Sequence, residues 1–187
     1  MANRRALQTD EASPIGQGQD TQSVHSAKQQ AYRFLAYRNR TSSELRERLQ
    51  RRGYSRTIVD EVLRLLVSDG YLDDRKLAFD WARYRLQAKP LGRRRLAWEL
   101  LRRGVPSETV EEVLREVYRE IDEVALAAQA ARKRLGSGAA PRLPRERQRY
   151  ARYLFSLGFD TDTITAALAA IGAPDEVQDL VGGGDAC

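Results

Sequence analysis

The amino-acid sequence predicts an all-α fold, an elongated, curved array of three tandem three-helix repeats, and two observations carry that prediction. The first is self-similarity. ELRERLQRRGYSRTIVDEVL (44–63), RLAWELLRRGVPSETVEEVL (95–114) and RYARYLFSLGFDTDTITAAL (149–168) align without gaps, superposing Gly53, Gly104 and Gly158 at spacings of 51 and 54 residues. Leu49, Leu100 and Leu154 share one column, and Leu63, Leu114 and Leu168 another. The second is period. Ile58, Val62 and Leu66, then Val110, Leu114 and Tyr118, then Ile164, Leu168 and Ile171 recur at intervals of three and four, which places each set on one face of a helix. Nothing in the chain reads as a strand.

The elements follow in order. Residues 1–26 are rich in Gln, Ser, Gly and Thr and carry two Arg against Asp10, Glu11 and Asp20, so they read as a disordered lead-in. Repeat 1 (27–70) is predicted to hold helices over 27–38, 41–52 and 55–69, the second opened by a capping box of Thr41 and Glu44. Repeat 2 (71–120) is predicted to hold helices over 73–89, 93–103 and 106–119, with Pro106 suited to a first helical position. Repeat 3 (121–171) is predicted to hold helices over 121–135, 144–157 and 160–171, the last capped by Asp160. The glycine column ends the second helix of each repeat, because a C′ residue in the left-handed region carries no Cβ penalty only when it is glycine. An insert, GSGAAPRLP (136–144), interrupts repeat 3 and is a candidate hinge. Residues 172–187 hold four acids and no base, and read as an acidic, flexible C-terminal tail. Short helices with one apolar stripe bury too little surface alone, so the repeats should share cores, as in solenoids.

Composition removes most chemistries. The only His is His25 and the only Cys is Cys187, both in the tails, which excludes a Cys/His metal cluster, a disulfide framework and any Ser-His-Asp or Cys-His pair. No apolar run reaches the length of a membrane span and no signal segment opens the chain, so the cytoplasm is the expected compartment.

Charge supplies the functional signal. The chain carries +6 overall, with the bases concentrated between the tails, and 28 of its 32 basic residues are Arg. Segments 33–56, 81–103 and 132–152 each hold eight bases against two, one and one acids. The third helices reverse the sign, with five acids against one Arg in 57–74 and seven against two in 105–123. A mixed ionic surface keeps any helical protein soluble, but threefold repetition of the segregation argues for a partner. Arg favours bidentate contact with phosphates and carboxylates. From charge and position, the expected contacts are Arg51, Arg52, Arg83, Arg85, Arg93, Arg94, Arg95, Arg102 and Arg103. Three Arg at 93–95 oppose the dipole at a helix start, which leaves them without a stabilising rationale inside the chain.

The stretch SDGYLDDRKLAFDWARYRLQAKPLGRRRLAWELLRRGV (68–105) is the most distinctive. Gly70 should end a helix, Tyr71 and Leu72 bridge, and Asp73 and Asp74 form an N-cap and acidic first turn. Adjacent carboxylates on a helix do not face one metal, so capping is the preferred reading. Leu77, Trp81, Tyr84 and Ala88 are expected to form the buried stripe of the following helix, with Arg83 and Arg85 outward and Trp98 in the core.

Gly70-Tyr71-Leu72-Asp73-Asp74, then Gly92, Leu96, Glu99, Leu100, Arg103, Gly104 and Val105, resemble the RecX family of bacterial regulators of the RecA recombinase. Arg40, Thr41, Glu44 and Leu45 fit its pattern in repeat 1, and Leu77 stands where the family commonly has Phe. The resemblance covers about 27–171. It implies a non-enzymatic regulator, without cofactor or metal, that binds RecA and RecA–DNA filaments and restrains filament growth, ATP hydrolysis and strand exchange in recombination, DNA repair and the SOS response. A monomer and a secondary affinity for single- or double-stranded DNA are expected. The runner-up is a direct, sequence-neutral DNA-binding repeat protein; a Mg²⁺ nuclease ranks below it.

Overall fold

The computed structural model describes residues 15–136 and 143–172. The described chain contains nine helices and no strand. It divides into two compact units at Asp73 and Asp74.

The first unit is built from α1 (Ile15–Tyr37), α2 (Ser42–Arg51) and α3 (Arg56–Ser68). Residues 1–14 of the expected lead-in lie outside the described residues, and α1 begins earlier than predicted, at Ile15 rather than residue 27. Its inner face explains part of the extension, since Val24 packs against the same core as the buried Ala27 and Ala31. Thr41 opens α2 with the predicted capping box, its Oγ1 accepting the Glu44 N–H at 3.0 Å while Glu44 Oε2 accepts the Thr41 N–H at 3.3 Å. Ser55 caps α3 by accepting the Ile58 N–H. Between them Gly53, at φ 91°, lets the Tyr54 N–H reach the Leu49 carbonyl. Leu45 and Leu49 from α2 meet Val59, Val62, Leu63 and Leu66 from α3 in one core. Tyr71 and Leu72 lie in the connection between α3 and the next helix, as expected. Both donate their N–H to the Leu66 carbonyl, and Leu72 is buried in the first unit's core.

The second unit contains α4 (Asp74–Ala88), α5 (Arg93–Arg102), α6 (Ser107–Val117), α7 (Glu123–Leu135), α8 (Pro144–Ser156) and α9 (Thr161–Gly172). Two cores form, one under α4 to α6 and one under α7 to α9, and Leu86 and Leu126 touch both. The sequence expectation for α4 is corrected. Its buried face is Ala78 and Ala82, flanked by half-buried Phe79, Trp81 and Leu86, while Tyr84 is 61% exposed. Two alanines four residues apart let the α4 backbone close on α6, which bulkier side chains would hold away. The same device recurs in α7, whose buried residues are Ala127, Ala128, Ala130 and Ala131. Pro106 sits at the N-cap of α6 rather than inside it. Asp160 caps α9 as expected, accepting the Thr163 N–H at 2.7 Å, and this bond holds its carboxyl below the usual range.

The two cores are joined by the segment before α5. Leu91 is buried in the α7–α9 core, and its carbonyl accepts the Tyr118 hydroxyl at 2.8 Å. The Gly92 N–H donates to the Leu157 carbonyl at 2.9 Å, and the Arg94 N–H to the Gly158 carbonyl at 3.2 Å. Burial pushes the Tyr118 phenol far above its ordinary pKa, so it stays a donor. The proposed hinge lies largely outside the described residues, as does the tail beyond Gly172.

Candidate functional site

The basic region of the second unit is organised around one carboxylate. Glu99, the sole acid in 81–103, lies on α5 with its side chain 12% exposed. Arg85 on α4 grips it with two bonds, Nε to Oε2 at 2.7 Å and Nη2 to Oε1 at 2.8 Å, and Arg95 adds a third at 3.2 Å. These bonds, those from Arg85 foremost, hold the Glu99 carboxyl below its usual range. Arg85 is therefore not outward as expected; it fastens α4 to α5. Arg93 is likewise engaged within the chain, through Glu123 at the start of α7. The expectation that Arg93–Arg95 have no internal rationale fails for two of the three, because Glu99 and Glu123 supply it.

Aromatic rings provide the second ordering principle. Arg94 lies over Phe155 at 5.1 Å, Arg95 and Arg102 over Trp98 at 4.7 and 4.8 Å, and Arg93 over Tyr118 at 4.8 Å. Arg103 and Arg85 share Trp81 at 4.7 and 6.0 Å, and Arg83 lies over Phe79 at 5.7 Å. In the first unit, Arg52 lies over Phe34 at 5.9 Å, while Arg51 pairs with Glu47 across one helical turn. Trp98 and Phe155 are thus not core residues: they are 45% and 53% exposed. A ring that fixes a guanidinium near the surface reduces the rotamer freedom it must lose on meeting an anion, and leaves the edge of the fork available. Arg94, Arg95, Trp98, Phe155 and Gly158 enclose a shallow cavity of about 260 Å³.

The distinctive glycines and acids serve the backbone. Gly70 and Gly104 both have φ 75° and close α3 and α5. Asp74 stands in the first turn of α4, as expected, and Asp73 directly precedes the helix. Tyr71 is exposed and packs edge-on against Tyr32, ring centres 5.0 Å apart. Leu100 is fully buried. Arg40, just before the α2 cap, is 4% exposed and donates to the Phe34 carbonyl at 3.2 Å; burial lowers its pKa. Among the described residues no group of three or more His, Cys, Asp or Glu could hold a metal ion, and no helix is long and apolar enough to cross a membrane.

The first, second and third three-helix domains of RecX match residues 27–64, 73–114 and 120–168 in turn. The regulatory protein RecX of Halorhodospira halophila is 38% identical over 146 residues, spanning 78% of this chain and 88% of that one. The chain belongs to the RecX family. The regulatory protein RecX of Pelodictyon phaeoclathratiforme is 30% identical over 149 residues, 80% of this chain and 91% of its own. The crystal structure of RecX from Lactobacillus salivarius has the same fold, with a TM-score of 0.73 at 16% identity, covering 81% of this chain and 97% of that one. Within the RecX pattern noted above, Glu99 is the acid that Arg85 grips, Gly92 the residue against Gly158, and Arg40 and Thr41 the buried start of α2.

Proposed function

We propose that this RecX-family chain is a non-enzymatic regulator that binds RecA and RecA–DNA filaments and restrains filament growth, ATP hydrolysis and strand exchange, acting as a cytoplasmic monomer. The observation that carries the reading is the set of ring-braced arginines. Arg83, Arg94 and Arg102 are exposed cations held over Phe79, Phe155 and Trp98. Such groups suit carboxylates and phosphates, the anions that a nucleoprotein filament offers side by side. Their spread over several helices fits backbone-type contact rather than base reading.

The same arginines favour a second reading, direct and sequence-neutral DNA binding. Titrating the full chain against RecA-coated and bare single strands at one salt concentration separates the two. Tighter binding to the coated strand supports regulation of filaments. Equal binding, falling steeply with salt, supports a DNA-binding protein alone.

A further inference from the structure

We propose that the groove between α8 and α9 is a docking site for this chain's own acidic segment, residues 175–181. The groove holds about 470 Å³. Ala151 and Phe155 from α8 and Ile164 and Leu168 from α9 give it an apolar lining, and Arg147 and Arg152 add two exposed cations. Among the described residues no carboxylate pairs with either arginine, whereas many others in the molecule are paired or bonded to acids. A half-apolar, half-basic trough of this size calls for an occupant with apolar anchors and negative charge.

The sequence that follows α9 has that composition. Asp175-Glu176-Val177-Gln178-Asp179-Leu180-Val181 places Val177, Leu180 and Val181 at intervals of three and four, with three acids between and before them and no base anywhere in 172–187. Reach is sufficient. From Thr161 to Leu168 the groove runs along about 10 Å of helix axis, and the three residues from Gly172 to Asp175 can cross roughly 10 Å. Pro174 lies where the chain would have to turn back toward Leu168. The other segments beyond the described residues are less suited, since residues 1–14 contribute Arg4 and Arg5, and residues 137–142 contribute Arg142 and no acid, to a rim that is already basic. A seated segment neutralises Arg147 and Arg152 and covers Phe155, the ring beneath Arg94.

The native thiol gives a direct test, because Cys187 is the only cysteine. A nitroxide attached there, on the full chain, should broaden the amide resonances of Ala151, Ile164 and Leu168. The broadening should disappear in Val177→Asp/Leu180→Asp, and also in Arg147→Glu/Arg152→Glu, and should weaken as salt rises. Absence of broadening at the groove, or broadening that persists in both variants, overturns the proposal. So does broadening seen only between nitroxide-bearing and isotope-labelled molecules, which would mean that a second copy fills the groove. None of these readouts involves RecA or DNA, so failure here is separate from failure of the proposed function.

Discussion

Gly92 and Gly158 lie backbone against backbone: a Cβ built on Gly92 would overlap the Gly158 carbonyl group, and one built on Gly158 would overlap the Arg95 backbone. The two residues come from different repeats, and their contact lets the Gly92 and Arg94 amides bond to the turn before α9. Gly92 has φ −83°, which any residue can adopt, so only the contact requires a glycine there.

That fact gives a prediction with a definite sign. Were the space open, Gly92→Ala would stabilise by about 0.4–1 kcal/mol by restricting the unfolded chain. The contact makes it destabilising instead, and by more than Gly53→Ala, where a Cβ meets nothing within 4 Å and only φ 91° is strained. Denaturant melts of both variants decide, and a stabilised Gly92→Ala would refute the close approach.

Gly104→Val should lower the melting temperature of the chain without any partner. At φ 75° a Cβ costs roughly 1–2 kcal/mol and a β-branched side chain more. An unchanged or raised midpoint would mean that the turn after α5 is built differently.

Glu99→Gln replaces one of the two oxygens that Arg85 grips with an NH2 donor and removes the charge behind the other, leaving a half-buried guanidinium under-satisfied, at a cost of about 1–3 kcal/mol at neutral pH. The pH dependence has one sign. The folded carboxyl is held below its usual range, so its stabilisation is complete above the unfolded pKa of about 4.3 and is lost as pH falls through the lower, folded value. The gap between parent and variant should therefore be constant from pH 6 to 8 and close in acid. A gap that is independent of pH down to full protonation would assign the effect to packing rather than to the ion pair.

The repeat pattern, the capping box and the glycine turns were legible because each is set within a few residues: period, cap and φ are local properties. The phase of α4 was not. Leu77 and Trp81 outweigh Ala78 and Ala82 on any hydropathy reading, yet close approach to α6 selects the small residues. Pairings distant in sequence were equally hidden. Arg93 and Glu123 are 30 residues apart, and Arg85 and Glu99 are 14 apart on different helices. One signal was present, since Glu99 is the lone acid of a strongly basic segment. The seating of arginines on Trp98 and Phe155 left no such trace, because an aromatic residue beside helical arginines ordinarily belongs to a core.

ATP hydrolysis by RecA filaments on single-stranded DNA tests the central claim most directly, measured against increasing parent chain and Arg83→Ala/Arg94→Ala/Arg102→Ala. Arg93 and Arg95 are left in place because Glu123 and Glu99 already engage them. The parent should slow hydrolysis, and the variant, folded and melting near the parent, should require roughly tenfold more protein for the same effect, the equivalent of about 1.4 kcal/mol of lost binding. Slowing by parent and variant at the same concentration would make these arginines solvated surface only, and a parent without effect at any concentration would contradict the regulatory role itself.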